Sequence, residues 1–355
     1  RKIDFGILVL LTLFLFGLLS ARGLIRLVMV LAPSASILVS YLVVQSISEI
    51  RKVGGEMNKI FAWIFVIIVF SATLFAGWQF YKDISGQASV YAPSIYTQQW
   101  QKAMAWVREN TNERSVFGHC WDYGYWLQSI GKRATVLDGG NAISYWNHLM
   151  GRYALTGASN KEALEFLYAH NTTHFLIDST DIGKYGAFSS IGSDVKYDRS
   201  SWLPTFLKDK SQIQETKNAT IYVYFGGTSL DGDINYQDNG TKIFLPSGRS
   251  ALGAILIEIN STGDILNNPR GVYIYQNQQY KLPLRYAFAK NKFYDFGSGI
   301  EAGVFIMPSV EQSAQLNIDK NGTLIYLSEI TVKSQLARLY LYKEESPYFR
   351  LVHNE

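Results

Sequence analysis

A single cysteine, Cys120, stands among the 355 residues, so no disulfide can close within the chain. Stability has to come from packing. Charge is scarce as well: Asp, Glu, Lys and Arg make up only 17%, against 48% hydrophobic and 14% aromatic residues. Such a chain is too apolar to be disordered, and over its whole length too polar to lie entirely in lipid. The formal charge of +4 is too diffuse in sequence to argue for nucleic acid. The five histidines are scattered, and His119 beside Cys120 lacks zinc spacing because no second cysteine exists. No phosphate-binding glycine loop, nucleophile elbow or zinc-protease helix motif is present, nor any internal repeat or low-complexity tract.

Long apolar runs are present instead. Residues 5–21, 27–48 and 60–81 contain no Asp, Glu, Lys or Arg, and each is near the roughly 20 residues that an α-helix needs to cross a bilayer. The signal recurs three times without a small-residue cleavage site, which favours three spanning helices over a signal peptide. Arg1 and Lys2 precede the first run, and Arg51, Lys52 and Lys59 lie between the second and third, so both segments belong on the cytoplasmic side. Residues 82–355 are then expected outside a cell membrane that the chain crosses several times. This topology leaves Arg22 and Arg26 on the outer side, where they either snorkel to headgroups or hold an anion such as a lipid-linked phosphate. Asn-x-Ser/Thr triplets begin at Asn171, Asn218, Asn239, Asn260 and Asn321, all after the third run, as an exported region permits.

The external part changes pattern along its length. Trp100, Ala103, Met104 and Val107 recur at helical spacing. Strand signals follow at residues 115–117, 134–137 and 174–178, separated by helical patterns over 143–155 and 160–170. Alternation of this kind predicts an α/β layer with a mainly parallel sheet over 82–220. From about residue 221 to 323, alternating runs such as 222–225, 254–259 and 272–275 are cut by Gly, Asn, Asp and Pro clusters and predict a β-rich sandwich or barrel. Residues 324–342 return to helical spacing through Leu336, Leu339 and Tyr340, so 324–355 is expected to form a C-terminal helix and a strand returning to the core. The expected fold class is a membrane protein: three transmembrane α-helices, an external α/β core domain and a β-rich module.

Within this frame, Trp121-Asp122-Tyr123-Gly124 falls just beyond the carboxyl end of a predicted parallel strand, where open α/β sheets bind ligands. An indole only donates a hydrogen bond and a carboxylate only accepts. Together they suit a hydroxyl, and such a site would reject an alanine that leaves its polar groups unpaired. The competing account is an aromatic turn packed on the core. Asp181, Lys184 and Phe188 are spaced three and four apart, which puts them on one face if the stretch is helical; on spacing alone this is an exposed ion pair worth little. Asp231, Asp233, Asn235 and Asp238 resemble the opening of a calcium loop, but Tyr236 stands where glycine is needed and no closing Glu follows.

The stretch Cys120-Trp121-Asp122-Tyr123-Gly124-Tyr125-Trp126, continued through Thr135-Val136-Leu137-Asp138, resembles the hallmark region of the catalytic subunits of N-oligosaccharyltransferases. Ser334-Gln335-Leu336-Ala337-Arg338-Leu339-Tyr340 resembles the archaeal branch of that family. The resemblance implies transfer of an oligosaccharide from a dolichyl phosphate or pyrophosphate type of donor to the Asn of an Asn-x-Ser/Thr acceptor, with Mn2+ or Mg2+. It assigns Trp121 and Asp122 to the acceptor hydroxyl, Tyr123 and Gly124 to the shape of that pocket, and Asp181 and Lys184 to a second motif beside it. Arg26, with Pro33 seven residues later, resembles the segment whose arginine faces the donor phosphate. The sequence departs from the family in two places: Cys120 stands where a first tryptophan is usual, and Phe188 where Met or Ile is usual.

The family's catalytic subunits have thirteen membrane helices, and their metal ligands lie in loops between earlier helices. The chain is therefore expected to correspond to the C-terminal part of such a glycosyltransferase, with no metal ligands or catalytic residues of its own, and to be inactive alone. A membrane-anchored carbohydrate-binding or adhesion protein is the alternative. In that case Trp121, Tyr123 and Trp126 would stack on sugar faces.

Overall fold

The structure is a computed structural model that describes residues 5–23, 28–50, 52–90, 96–238, 240–312 and 316–355. It divides into two units, residues 1–97 and 98–355.

The first unit contains α1 (Phe5–Gly23), α2 (Val28–Ile50) and α3 (Glu56–Val90), each long and apolar enough to cross a membrane. Their side chains are apolar on every face and mostly exposed, the pattern of helices whose solvent is lipid. Hydroxyls inside such helices need partners, and Thr12, Ser36, Ser40 and Thr73 each donate to the carbonyl four residues earlier. Gly17 lets α1 and α2 touch: a Cβ there would lie 3.1 Å from the Leu31 backbone. Pro33 sits inside α2, and Arg26 lies outside the described residues. At 35 residues α3 is about 52 Å long at 1.5 Å per residue, well past a hydrocarbon core of about 30 Å. It exceeds the apolar run 60–81 at both ends, taking in residues 56–59 and the polar stretch 82–90.

The second unit opens with α4 (Gln98–Asn110), whose Met104 and Val107 are buried. Buried Arg133 donates to the carbonyls of Arg108 and Thr111, satisfying groups at and just past the end of this helix. Three short strands follow, β1 (Val116–Gly118), β2 (Ala134–Thr135) and β3 (His174–Phe175), parallel and in the order β2-β1-β3. Between them run α5 (Gly124–Ser129), α6 (Ser144–Leu149) with a π-helical turn over Met150–Leu155, and α7 (Asn160–Ala169), which is capped by the Ser159 hydroxyl. After β3 comes α8 (Asp181–Ile191).

The remaining strands are β4 (Thr205–Lys208), β5 (Gln214–Glu215), β6 (Ala219–Ser229), the hairpin β7 (Ile234–Asp238) and β8 (Thr241–Leu245), β9 (Ala251–Asn260), β10 (Arg270–Tyr275), β11 (Gln278–Ala289), β12 (Lys292–Asp295), β13 (Ile300–Gln312) and β14 (Leu316–Leu327). The order β10-β9-β6-β4-β14-β13-β11, closed by pairing of β10 with β11, makes a barrel of seven strands. Closure removes the free edges that a sandwich would leave. Leu252, Ile255, Ile257 and Ile259 of β9 fill the interior; the alternation slips by one residue after Leu252, where the pairing with both β6 and β10 is bulged. One face of the barrel, through Phe288, Ile325 and Leu327, shares a core with Tyr123, Leu137, Met150, Phe166 and Tyr185 of the α/β layer.

The C-terminal expectation is corrected. Residues 324–327 belong to β14 and are paired with β4 and β13; Leu324 and Tyr326 face the barrel core, and Ile325 and Leu327 the core shared with the α/β layer. Helix is confined to α9 (Glu329–Val332) and a π-helical turn over Leu336–Leu341, and residues 343–355 form no strand. The β-rich region also begins at Thr205 rather than residue 221, since β4 lies between β6 and β14.

Candidate functional site

The centre of the site is a junction between the loop after β1 and the start of α8. Gly118 ends β1, and a single 3-10 turn, Trp121–Tyr123, leads into α5. His119 is fully buried and its Nδ1 lies 2.6 Å from the Cys120 carbonyl; burial lowers its pKa to about 4, so it is neutral and its Nδ1–H donates. Gly124 is required by space. A Cβ there would come within 2.5 Å of Asp138 Cα and the Leu137 carbonyl, so only glycine allows this turn to sit against the segment after β2. That segment is pinned in turn by Asp138, whose carboxylate accepts from Gln128 at 3.0 Å and from the Gly140 N–H at 2.8 Å; these bonds lower its pKa.

Tyr123 joins the two sequence motifs. Its ring is buried and lies 4.9 Å from Trp100, whose indole also meets Trp126 at 4.8 Å. Its hydroxyl donates to Asp181 Oδ1 at 2.8 Å and lies 2.7 Å from Thr180 Oγ1. Lys184 Nζ donates to the same hydroxyl at 3.1 Å, stands 4.5 Å over the ring, and pairs with Asp122 Oδ2 at 2.6 Å. Burial, with the Asp181 carboxylate next in effect, holds the phenol well above its ordinary pKa. It stays a hydroxyl and can donate.

Asp181 is not part of an exposed ion pair, as its spacing from Lys184 suggested. It is fully buried, its Oδ2 accepts the Asp178 N–H at 2.9 Å, and burial raises its pKa to about 6 despite the hydrogen bonds from Asp178 and Tyr123 and the nearby Lys184. Lys184 instead reaches across to Asp122. Spacing within α8 could not show this, because the partner lies 62 positions away on another element. Asp178 and Thr180 also belong to the junction, with the Thr180 hydroxyl donating to Asp178 at 2.6 Å. Their signal was the polar run Asp178-Ser179-Thr180-Asp181 directly after a strand.

What remains open on this surface is Trp121, 36% exposed, and the rest of the Asp122 carboxylate. Beside Trp121 is a small apolar niche lined by Cys120, Leu137, Met150, Phe188 and Ile191, with Asn147 at its edge. Phe188 reaches it because α8 and the π-helical turn nearly touch: a Cβ on Gly151 would lie 2.5 Å from the Phe188 carbonyl. Burial, with the Asp181 carboxylate next in effect, pushes the Cys120 thiol up to about 12.

No family model matches the chain. In sequence it is 33% identical over 109 residues to dolichyl-phosphooligosaccharide-protein glycotransferase 1 of Pyrococcus furiosus, a match covering 30% of this chain and 11% of that protein. The counterpart in Pyrococcus horikoshii is 31% identical over 98 residues, covering 27% of this chain and 10% of its own length. The chain is similar to the C-terminal part of archaeal oligosaccharyltransferases. It spans about a tenth of the length of the curated relatives that it matches. Among solved structures, the C-terminal domain of PglB from C. jejuni overlaps 72% of this chain and 96% of its own at a TM-score of 0.35 and 11% identity. The C-terminal globular domain of an oligosaccharyltransferase from Archaeoglobus fulgidus overlaps 29% of this chain and 71% of its own at 0.23 and 22% identity. Overlaps this loose carry no argument of their own.

Among the described residues, no three His, Cys, Asp or Glu side chains gather where they could hold one ion. The four residues of the calcium-like run are dispersed: Asp231 accepts from the Ser201 and Ser328 hydroxyls, Asp233 accepts from the Ser247 N–H, and Asn235 and Asp238 lie within β7. The described residues therefore offer no three-ligand cluster to the Mn2+ or Mg2+ that the family resemblance implies.

Proposed function

We propose that the chain serves protein N-glycosylation and supplies acceptor recognition to an oligosaccharyltransferase that moves a dolichyl-linked oligosaccharide onto Asn-x-Ser/Thr polypeptides. The observation that carries this reading is the Tyr123–Asp181–Lys184–Asp122 junction, which fixes the Asp122 carboxylate next in sequence to Trp121, a residue that lines an apolar niche. The Trp121 indole can donate to an acceptor hydroxyl and Asp122 can accept from it. Lys184 orients Asp122 by occupying one of its oxygens, and Asp181 fixes the Tyr123 hydroxyl on which Lys184 also rests. Phe188 and Ile191 at the niche would meet the apolar part of a Ser or Thr side chain. In this reading residues 82–355 lie outside the cell membrane and Arg26 faces the donor phosphate.

The alternative, sugar stacking on Trp121, Tyr123 and Trp126, is not favoured by the geometry. Tyr123 is buried and Trp126 is packed edge-on against Trp100, so only Trp121 of the three offers a face. The test is calorimetry of the full chain in detergent with peptides containing Asn-x-Thr or Asn-x-Ala. A paired buried hydroxyl is worth about 1–3 kcal/mol, or roughly tenfold to a hundredfold in affinity. Trp121→Phe and Asp122→Ala should each abolish that preference. Equal discrimination in wild type and both variants would end the proposal.

A further inference from the structure

A second cleft lies where α9 and the last π-helical turn meet β11 and β12. Its volume is about 200 Å³, and Ala158, Tyr286, Phe293, Val332, Lys333, Arg338, Tyr342 and Glu344 line it. No residue of the Trp121 site takes part. Drug-sized ligand pockets hold roughly 300–1,000 Å³, so this cleft suits something smaller.

Local backbone builds its walls. The π-helical turn places Arg338 and Tyr342 four apart on one side, and π-turns are enriched at functional sites. Lys343 follows in the left-handed region at φ +50°, uncommon for a lysine, and this folds Glu344 back onto Arg338. Arg338 then donates to the two Glu344 oxygens at 2.7 and 2.5 Å. Three rings form the apolar side: Phe293 stacks on Tyr286 at 5.8 Å and tilts against Tyr342 at 5.0 Å. Tyr342 is buried as the floor, whereas Phe293 is 45% exposed at the rim.

The charges at this cleft are already matched. Lys333 pairs with Glu329 at 2.7 Å, Arg338 with Glu344, and the Tyr286 hydroxyl donates to Glu301 at 2.8 Å. An ionic ligand would find no uncompensated partner. A neutral ligand with hydroxyls around an apolar face fits better: ring faces carry negative density that attracts C–H groups, and an Arg–carboxylate fork retains further N–H donors and lone pairs for hydroxyls. Since the rim is exposed, a chain can continue from the bound unit into solvent.

We propose that this cleft binds one neutral pyranose unit of a glycan chain, with the sugar face on the exposed ring of Phe293 and its hydroxyls on Arg338 and Glu344. The test is saturation-transfer NMR on the full chain in nanodiscs, with N-acetylglucosamine and its β1,4-linked disaccharide as probes. Expected are transfer to the ring protons of both probes, affinity for the disaccharide at least equal to that for the monosaccharide, and at least tenfold weakening in Phe293→Ala. Phe293→Trp, which keeps an aromatic face, should retain binding and controls for folding. Preference for Asn-x-Thr peptides should survive Phe293→Ala, which separates this site from the acceptor site. No transfer to either probe, binding of the monosaccharide alone, equal transfer in Phe293→Ala, or displacement by inorganic phosphate would each overturn the proposal.

Discussion

Asp181→Asn keeps the shape but removes the ionisable group and one of the two oxygens that accept from Tyr123 and the Asp178 N–H, a loss that does not vary with pH. In the folded protein burial raises the Asp181 pKa from the usual 3.8 to about 6. That difference corresponds to about 3 kcal/mol between the two protonation states. The sign follows from which state binds the proton more tightly. The folded state does, so the contribution is fully present below the unfolded pKa near 4 and is lost as pH rises through about 6. At pH 7.5 the ionised Asp181 is therefore a cost that Tyr123, the Asp178 N–H and Lys184 only partly offset. Asparagine never carries that cost. The stability of Asp181→Asn relative to wild type should thus become more favourable between pH 4.5 and 7.5, by about 2 kcal/mol. Chemical unfolding followed by near-ultraviolet circular dichroism, at several pH values in detergent, reads this difference directly. An offset that stays constant from pH 4.5 to 7.5 would refute the burial argument. If acceptor recognition needs the Asp181–Tyr123 bond in its charged form, the more stable variant should bind Asn-x-Thr peptide less tightly at pH 7.5.

Two further outcomes follow from close packing at the same turn. Gly124→Ala sets a methyl against the backbone of Leu137 and Asp138, which cannot rotate away, and should destabilise the fold by about 1–3 kcal/mol or more in the same unfolding assay; a loss under 0.5 kcal/mol would mean that the turn can open. Cys120 is buried with its thiol pushed up to about 12, so at pH 8 roughly one molecule in ten thousand carries the thiolate, and iodoacetamide should label it only after unfolding. Rapid labelling of the folded chain would show that the niche beside Trp121 opens.

Much of the architecture is legible in the sequence because it rests on period and length. Three uncharged runs suffice for three lipid-compatible helices, and alternation between period 3.6 and period 2 suffices for an α/β layer followed by a β-rich body. The last segment was not legible. Leu324–Leu327 and Leu336–Leu341 are apolar at spacings compatible with a helix, and only the vacancy between β4 and β13 makes the first of them a strand. Whether the β-rich body would be a sandwich or a barrel was equally hidden, since it depends on one pairing, β10 with β11.

At the site, the sequence by itself determined the residue types that chemistry requires: an indole, a carboxylate, a glycine, and an Asp and Lys three apart. It could not determine who pairs with whom. The tertiary structure decided that Asp181 goes to the Tyr123 hydroxyl and Lys184 to Asp122, that Gly124 is fixed by the backbone of Leu137 and Asp138, and that Trp126 is packing rather than surface. The physical reason is range. Helix and strand periods are set by neighbours a few residues apart, whereas hydrogen bonds between elements some 60 positions apart exist only once β1 and β3 lie side by side and bring the two loops to the same end of the sheet.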